Sequence, residues 1–126
     1  MQSIKSYTNI EQSKQLAEIL PIETADMCYI LHSSSDNPDW RFDNDIPPMV
    51  LGKISINELT VKALPCWSLA ALLNILPKII NNESLFIETS AALWHIGYRN
   101  IYTVRASNII DACYELIVYL HELNLL

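Results

Sequence analysis

Residues 84–105, with the sequence SLFIETSAALWHIGYRNIYTVR, decide the fold because they contain three strand-like runs in close succession. The runs are residues 84–89, 92–98 and 101–105, and only a pair of residues separates each run from the next. Loops this short join neighbouring antiparallel strands, whereas parallel strands need a long crossover. The stretch therefore predicts a three-stranded antiparallel meander.

The first loop of the meander sets its register and its faces. With a loop at Ser90-Ala91, Ile87 lies opposite Trp94, and alternate residues share one face. Neither loop contains the Asn-Gly or Asp-Gly pair that two-residue hairpins favour, so a register shifted by one residue stays open. We expect helices to cover the face that carries Leu85, Ile87, Trp94, Ile96 and Tyr98.

A helix and a strand are predicted near the N-terminus. Thr8 and Glu11 form a capping-box pattern, and the apolar spacing that follows predicts a helix over residues 9–20 that ends at Pro21. Residues 26–32 form a short, mostly apolar run, which is typical of a buried strand.

Two further helices are predicted, one before the meander in the sequence and one after it. Ser68 can cap a leucine-rich helix that Pro77 ends, because proline cannot continue a helix. Ser107 can cap a last helix over residues 108–124. Its apolar stripe has the helical period and consists of Ile110, Cys113, Ile117 and Leu120.

The middle of the chain has weaker signals. Residues 33–48 are rich in Ser, Asp, Asn and Pro, which predicts a long loop with a short strand at 40–42. Residues 49–64 stay open between helix and strand, because Ser55 and Glu58 can cap a helical turn. The strand is favoured by the β-branched residues Ile54, Ile56 and Val61.

Length and pattern together predict the fold class. The chain has 126 residues, of which 51% are hydrophobic, and this is enough to form one buried core. We predict a single α+β domain over residues 1–126. Its antiparallel sheet consists of the three-stranded meander plus one or more N-terminal strands, with about three helices packed on one face.

Charge and cysteine content exclude several classes. The net charge of -6 repels a nucleic-acid backbone. Apolar runs are far shorter than the roughly 20 residues of a membrane span, and the N-terminus lacks an apolar signal core. Three widely spaced cysteines fit a reducing compartment. The sequence predicts a cytoplasmic protein that binds neither nucleic acid nor membrane.

An acidic loop is the first candidate binding surface. It combines carboxylates with two large aromatic side chains in a segment expected to face solvent. Its spacing does not match an EF-hand calcium loop. The alternative, which we favour, is a solvated turn whose aromatic rings fold onto the core. The candidate residues are Asp36, Asp39, Trp40, Phe42 and Asp43.

A pocket on the meander is the second candidate. Polar side-chain tips and aromatic walls are expected to converge near His95, Tyr98, Tyr102 and Arg105. His95 has the alternative role of a partly buried, hydrogen-bonded side chain. The sequence contains no C-x-x-C, H-E-x-x-H, glycine-rich phosphate loop or G-x-S-x-G motif. We therefore predict no cofactor, no metal site and no catalytic residue.

Three blocks of the chain resemble a family of small uncharacterised proteins from gut anaerobes and from their phages and mobile elements. The blocks are residues 7–27 (YTNIEQSKQLAEILPIETADM), 65–77 (PCWSLAALLNILP) and 111–123 (DACYELIVYLHEL). They look like helices with their caps, so the resemblance implies a link to phages or mobile elements but no activity or site residue.

The preferred interpretation is a non-enzymatic accessory or protein-interaction domain. Its partner is another protein or, in a homodimer, a second copy of the chain. The alternative is a small-molecule binding protein or minor enzyme that uses the pocket near His95 and Arg105. An interaction domain predicts an exposed apolar or aromatic patch, whereas the pocket predicts thermal stabilisation by a ligand.

Overall fold

The computed structural model describes residues 5–31, 40–43, 54–56, 59–61 and 63–126. Contacts within the chain define two compact units, which we call the N-terminal unit (Tyr7–Ser68) and the C-terminal unit (Met1–Ser6 with Leu69–Leu126). Both units contain helix and antiparallel strand, so the predicted α+β class is confirmed. The prediction of a single domain over residues 1–126 stays a prediction.

The helices and strands of the described residues follow the chain in a mixed order. The helices are α1 (Ile10–Ile19), a short 3-10 helix (Ile22–Thr24), α2 (Leu69–Ile75) and α3 (Ile109–Glu122). The strands are β1 (Met27–Leu31), β2 (Trp40–Asp43), β3 (Ile54–Ile56), β4 (Leu59–Val61), β5 (Ala63–Cys66), β6 (Ile79–Ile80), β7 (Glu83–Ser90), β8 (Leu93–Tyr98) and β9 (Tyr102–Ala106).

The N-terminal unit contains a three-stranded antiparallel sheet in the order β2-β1-β5, with α1 packed against β5. The strands predicted at residues 26–32 and 40–42 are confirmed as β1 and β2. Between residues 49 and 64 the structure contains strands, with β3 paired to β4 and β5 paired to β1. The β-branched residues therefore outweigh the capping pattern there.

Thr8 does not cap α1, contrary to the prediction. Asn9 is the N-cap, because its carboxamide oxygen accepts the Gln12 N–H at 2.8 Å and the Gln12 side chain accepts the Asn9 N–H at 3.1 Å. Thr8 is fully buried and joins the start of the unit to its end. Its N–H donates to the Trp67 carbonyl at 3.0 Å, and its hydroxyl oxygen accepts the Trp67 N–H at 3.1 Å.

The C-terminal unit contains a four-stranded antiparallel sheet in the order β6-β7-β8-β9, and α3 packs against β8, β9 and α2. The predicted meander is therefore present, with β6 as an additional strand. The expectation that N-terminal strands join this sheet is wrong, because β1 belongs to the sheet of the other unit. The helices do not all cover one sheet face either, since α1 contacts β5 and α3 contacts β8 and β9.

The predicted stripe of α3 is confirmed, and its cap is shifted by one residue. Asn108 is the N-cap in place of Ser107, because its side-chain oxygen accepts the N–H groups of Ile110 and Asp111. The buried face of the helix consists of Ile110, Ala112, Cys113, Leu116, Ile117 and Leu120.

The register of the first hairpin differs from the prediction by two residues. The turn residues are Ala91 and Ala92, with φ of 53° and 63°, so Ile87 lies opposite Ile96 and not opposite Trp94. A shift of two residues returns every side chain to the same face, and the predicted face is therefore retained.

The second hairpin has a three-residue turn, one residue longer than predicted. Tyr98 lies opposite Tyr102, and Asn100 in the turn has φ of 63°. This one-residue shift places His95 opposite Arg105, where the prediction placed it near Val104.

Thr8→Val tests the closure of the N-terminal unit. Valine keeps the shape of threonine but leaves the buried Trp67 N–H without its side-chain acceptor, so we expect the free energy of unfolding to fall by about 1–3 kcal/mol. Urea denaturation measures the change. Thr103→Val, at an exposed position of β9, is the matched control and should stay within about 0.5 kcal/mol of wild type. Equal effects of the two variants would contradict this role of Thr8.

Candidate functional site

One face of the C-terminal sheet packs against α3, and we call it the helix-covered face. Ile96, Tyr98 and Val104 are buried on it, and the ring of Tyr102 stacks on Tyr119 of α3 with centroids 3.5 Å apart. The Tyr98 hydroxyl donates to the carbonyl of Pro77, and burial raises the pKa of Tyr98 to about 12. These residues form a core and leave no polar group of Tyr98 free for chemistry.

Two large apolar side chains of the same face remain exposed. Ile87 of β7 is 42% exposed and Trp94 of β8 is 37% exposed. Trp94 lies opposite Thr89, so Ile87 and Trp94 are diagonal neighbours on adjacent strands. We call this pair the apolar patch. The predicted face is therefore covered by α3 at Ile96 and Tyr98 but open at the apolar patch.

Among the described residues, the side of β7 that points away from β8 has a partner strand over only part of its length. β6 pairs with Glu83 and Ser84, and the Leu85 N–H donates outward to the Lys78 carbonyl at 2.8 Å. Backbone groups of alternate residues in an antiparallel strand point to the same side, so those of Ile87 and Thr89 also point outward. No strand of the described residues pairs with them there. Residues 87–90 are all exposed, and we call them the outer edge.

The opposite face of the sheet is polar. Glu88, His95 and Arg105 lie directly opposite one another on three consecutive strands, and we call them the polar row. The guanidinium of Arg99 lies 4.9 Å from the centre of the Phe86 ring, and its nitrogen lies 3.9 Å from the Glu88 carboxylate. Both side chains of this ion pair are more than half exposed, so it contributes little to stability.

The four residues of the predicted pocket form two separate pairs. Tyr98 and Tyr102 lie opposite each other on the helix-covered face. His95 and Arg105 lie opposite each other on the polar face, and the His95 Nε2 lies 3.3 Å from the Ser90 carbonyl oxygen. The pleat of β8 causes this division, because residues 95 and 98 differ by an odd number. Ligand binding by either pair stays a prediction.

The acidic-loop candidates are described only in part. Asp36 and Asp39 lie outside the described residues, whereas Trp40 and Asp43 are the end residues of β2. The ring of Phe42 stacks on Tyr7 with centroids 4.0 Å apart and meets Tyr29 edge to face. For Phe42, the structure therefore agrees with the alternative in which the ring folds onto the core.

The cysteines are not available as nucleophiles in the folded chain. Cys28, Cys66 and Cys113 are buried and form no disulfide bond. Burial raises the pKa of Cys113 to about 12, and burial is also the main cause of the raised pKa of Cys66. A buried thiol that stays protonated is inert. Within the described residues, no group of three His, Cys, Asp or Glu side chains could hold a metal ion.

β6, which pairs with the first residues of β7 just before the outer edge, was not predicted from the sequence. β6 and β7 are joined by Asn81 and Asn82, with φ of 49° and 67°. Asparagine tolerates this left-handed conformation better than most residues, so the Asn-Asn pair after Ile79-Ile80 was the available signal. No comparable signal marks Ile87 and Trp94 as exposed, because their exposure depends on where α3 ends over the sheet.

No protein-family model, curated protein or solved structure matches this chain. In the part of the chain that the structure describes, no helix is long and apolar enough to cross a membrane.

Proposed function

We propose that this protein is a non-enzymatic accessory domain of the cytoplasm that binds another protein through the apolar patch. The observation that carries the proposal is the exposure of Ile87 and Trp94 on a face whose neighbouring residues, Ile96 and Tyr98, are fully buried. Exposed apolar groups of this kind mark interaction surfaces when they are contiguous.

The chemistry of the patch supports this role. Tryptophan is enriched among the few residues that dominate protein–protein binding energy. Trp94 and Ile87 stand on paired strands, so their positions are fixed before a partner arrives. Less ordering entropy is then lost on binding.

The charge of the chain indicates the kind of partner. A net charge of -6 attracts a basic protein surface and increases its association rate at low salt. From the resemblance to phage-linked and mobile-element-linked proteins, we propose a host or phage protein as the partner. If the partner is a second copy of the chain, the same interaction forms a homodimer.

Site-specific photo-crosslinking tests the apolar patch. With benzoylphenylalanine in place of Trp94, we expect one discrete crosslinked partner in cells of the native host. Thr103, exposed on the opposite face of the same sheet, is the control position and should yield no such product. Adding Ile87→Ser should reduce the yield at position 94 several-fold. Identical products at both positions, or none at either, would contradict the proposal.

A second candidate function rests on the polar row. His95 and Arg105 are cross-strand neighbours on one face, and Glu88 and Arg99 lie beside them. Guanidinium and imidazole groups side by side suit a small anionic ligand such as a carboxylate or phosphate. This arrangement favours a small-molecule binding protein or minor enzyme as the alternative function.

Thermal unfolding with a panel of anionic metabolites tests the alternative. A ligand at one hundred times its Kd stabilises the fold by about 2.7 kcal/mol, which raises the melting temperature by several degrees. We expect Arg105→Ala and His95→Ala each to abolish the shift, and Trp94→Ser to leave it unchanged. A panel that produces no shift in wild type would remove the support for this function.

A further inference from the structure

We propose that the outer edge binds an extended segment of the partner protein as an added β-strand, with an apolar–basic–apolar pattern of side chains. The proposal rests on the function proposed above and identifies the recognition mode and the chemistry of the partner. In this mode, main-chain hydrogen bonds supply affinity, and the side chains of alternate residues supply specificity.

The backbone of β7 provides the hydrogen-bonding groups. Ile87 and Thr89 each direct one N–H and one C=O away from β8, beyond the point where β6 stops pairing. A segment opposite residues 86–90 therefore forms hydrogen-bonded pairs at Ile87 and Thr89. Ile87 and Thr89 are both exposed.

The side chains of β7 determine which side chains of the segment fit on each face of the sheet. Side chains of the segment next to Ile87 and Thr89 lie on the helix-covered face, the face that also carries Trp94, where apolar groups extend the apolar patch. The side chain next to Glu88 lies on the polar face. Opposite charges in cross-strand pairs are stabilising, so a lysine fits opposite Glu88, whose own ion pair with Arg99 is exposed and contributes little.

The same geometry disfavours a second copy of the chain at the outer edge. Pairing with β6 and the Leu85–Lys78 hydrogen bond occupy β7 up to Leu85, so self-pairing uses the outer edge together with Phe86, and in antiparallel orientation it is centred on Glu88. The two Glu88 carboxylates would then lie directly opposite each other, which is destabilising. A partner with a basic residue at that position avoids this repulsion.

Fluorescence anisotropy with the full chain and a labelled peptide, Ser-Val-Lys-Val-Ser, tests the proposal. The proposal takes the peptide as antiparallel to β7, the orientation in which its two valines pair with Ile87 and Thr89 and its lysine lies opposite Glu88. We expect saturable binding that weakens at least tenfold when glutamate replaces the peptide lysine, or when both valine amide nitrogens are methylated. N-methylation removes the N–H groups that face Ile87 and Thr89.

Variants of the protein identify the binding site. Thr89→Pro removes an outward N–H without touching the ladder to β8, and we expect it to weaken binding at least tenfold. Glu88→Gln should abolish the preference for lysine over glutamate in the peptide. Glu18→Gln, which removes the same charge from an exposed position of α1, should change affinity less than twofold.

The outcomes separate this proposal from the one on which it rests. No saturable binding up to about 1 mM peptide, or binding that tolerates N-methylation, would overturn strand addition. Equal effects of Glu88→Gln and Glu18→Gln would show only general charge attraction and would also overturn it. If a partner still crosslinks at position 94, the protein-interaction function remains supported. If neither peptide binding nor the crosslink is observed, strand addition and the protein-interaction function are both contradicted.

Discussion

The turn at Ala91 and Ala92 is the constraint on which the C-terminal unit depends. Both residues have positive φ, a conformation that costs about 1 kcal/mol or more for a residue with a Cβ. The hairpin that they close fixes the register of β7 against β8. That register decides which side chains reach α3 and which backbone groups of β7 point outward. Packing at Ile96 and Tyr98, both fully buried, offsets the strain in the turn.

The proposed binding features follow from this register and lie on one side of the unit. β6 pairs with the first residues of β7, and the side of residues 87–90 that points away from β8 has no described partner strand. Ile87 and Trp94 are exposed on one face of the sheet, and Glu88 is exposed on the opposite face. A partner that adds a strand at β7 lies beside Ile87 and Glu88 and shares the face of the sheet that carries Trp94 of β8. The recognition proposed here therefore needs no catalytic residue, cofactor or metal.

Local signals predicted much of the fold, and tertiary packing determined the rest. The stripe of α3 and the strand character of β1 were predictable, because their apolar periodicity reflects burial directly. The predicted caps of α1 and α3 were each one residue early, because Asn9 and Asn108 bond the helix N–H groups where Thr8 and Ser107 were expected. The predicted face of the meander was correct despite the two-residue register error, because side chains alternate between the faces with period two. The exposure of the apolar patch was not predictable, since no local pattern states how far α3 extends over the sheet.

Native-state hydrogen exchange of the β7 amides tests the central claim, that the outer edge is open. The N–H groups of Phe86 and Glu88 point toward β8, so the account predicts slow exchange at both. The N–H groups of Ile87 and Thr89 point outward, and the account predicts fast exchange at both. An alternating pattern along β7 would support an open edge available to a partner strand. Uniform protection of all four amides in the isolated protein would contradict it, because another part of the chain or a second copy would then cover the edge.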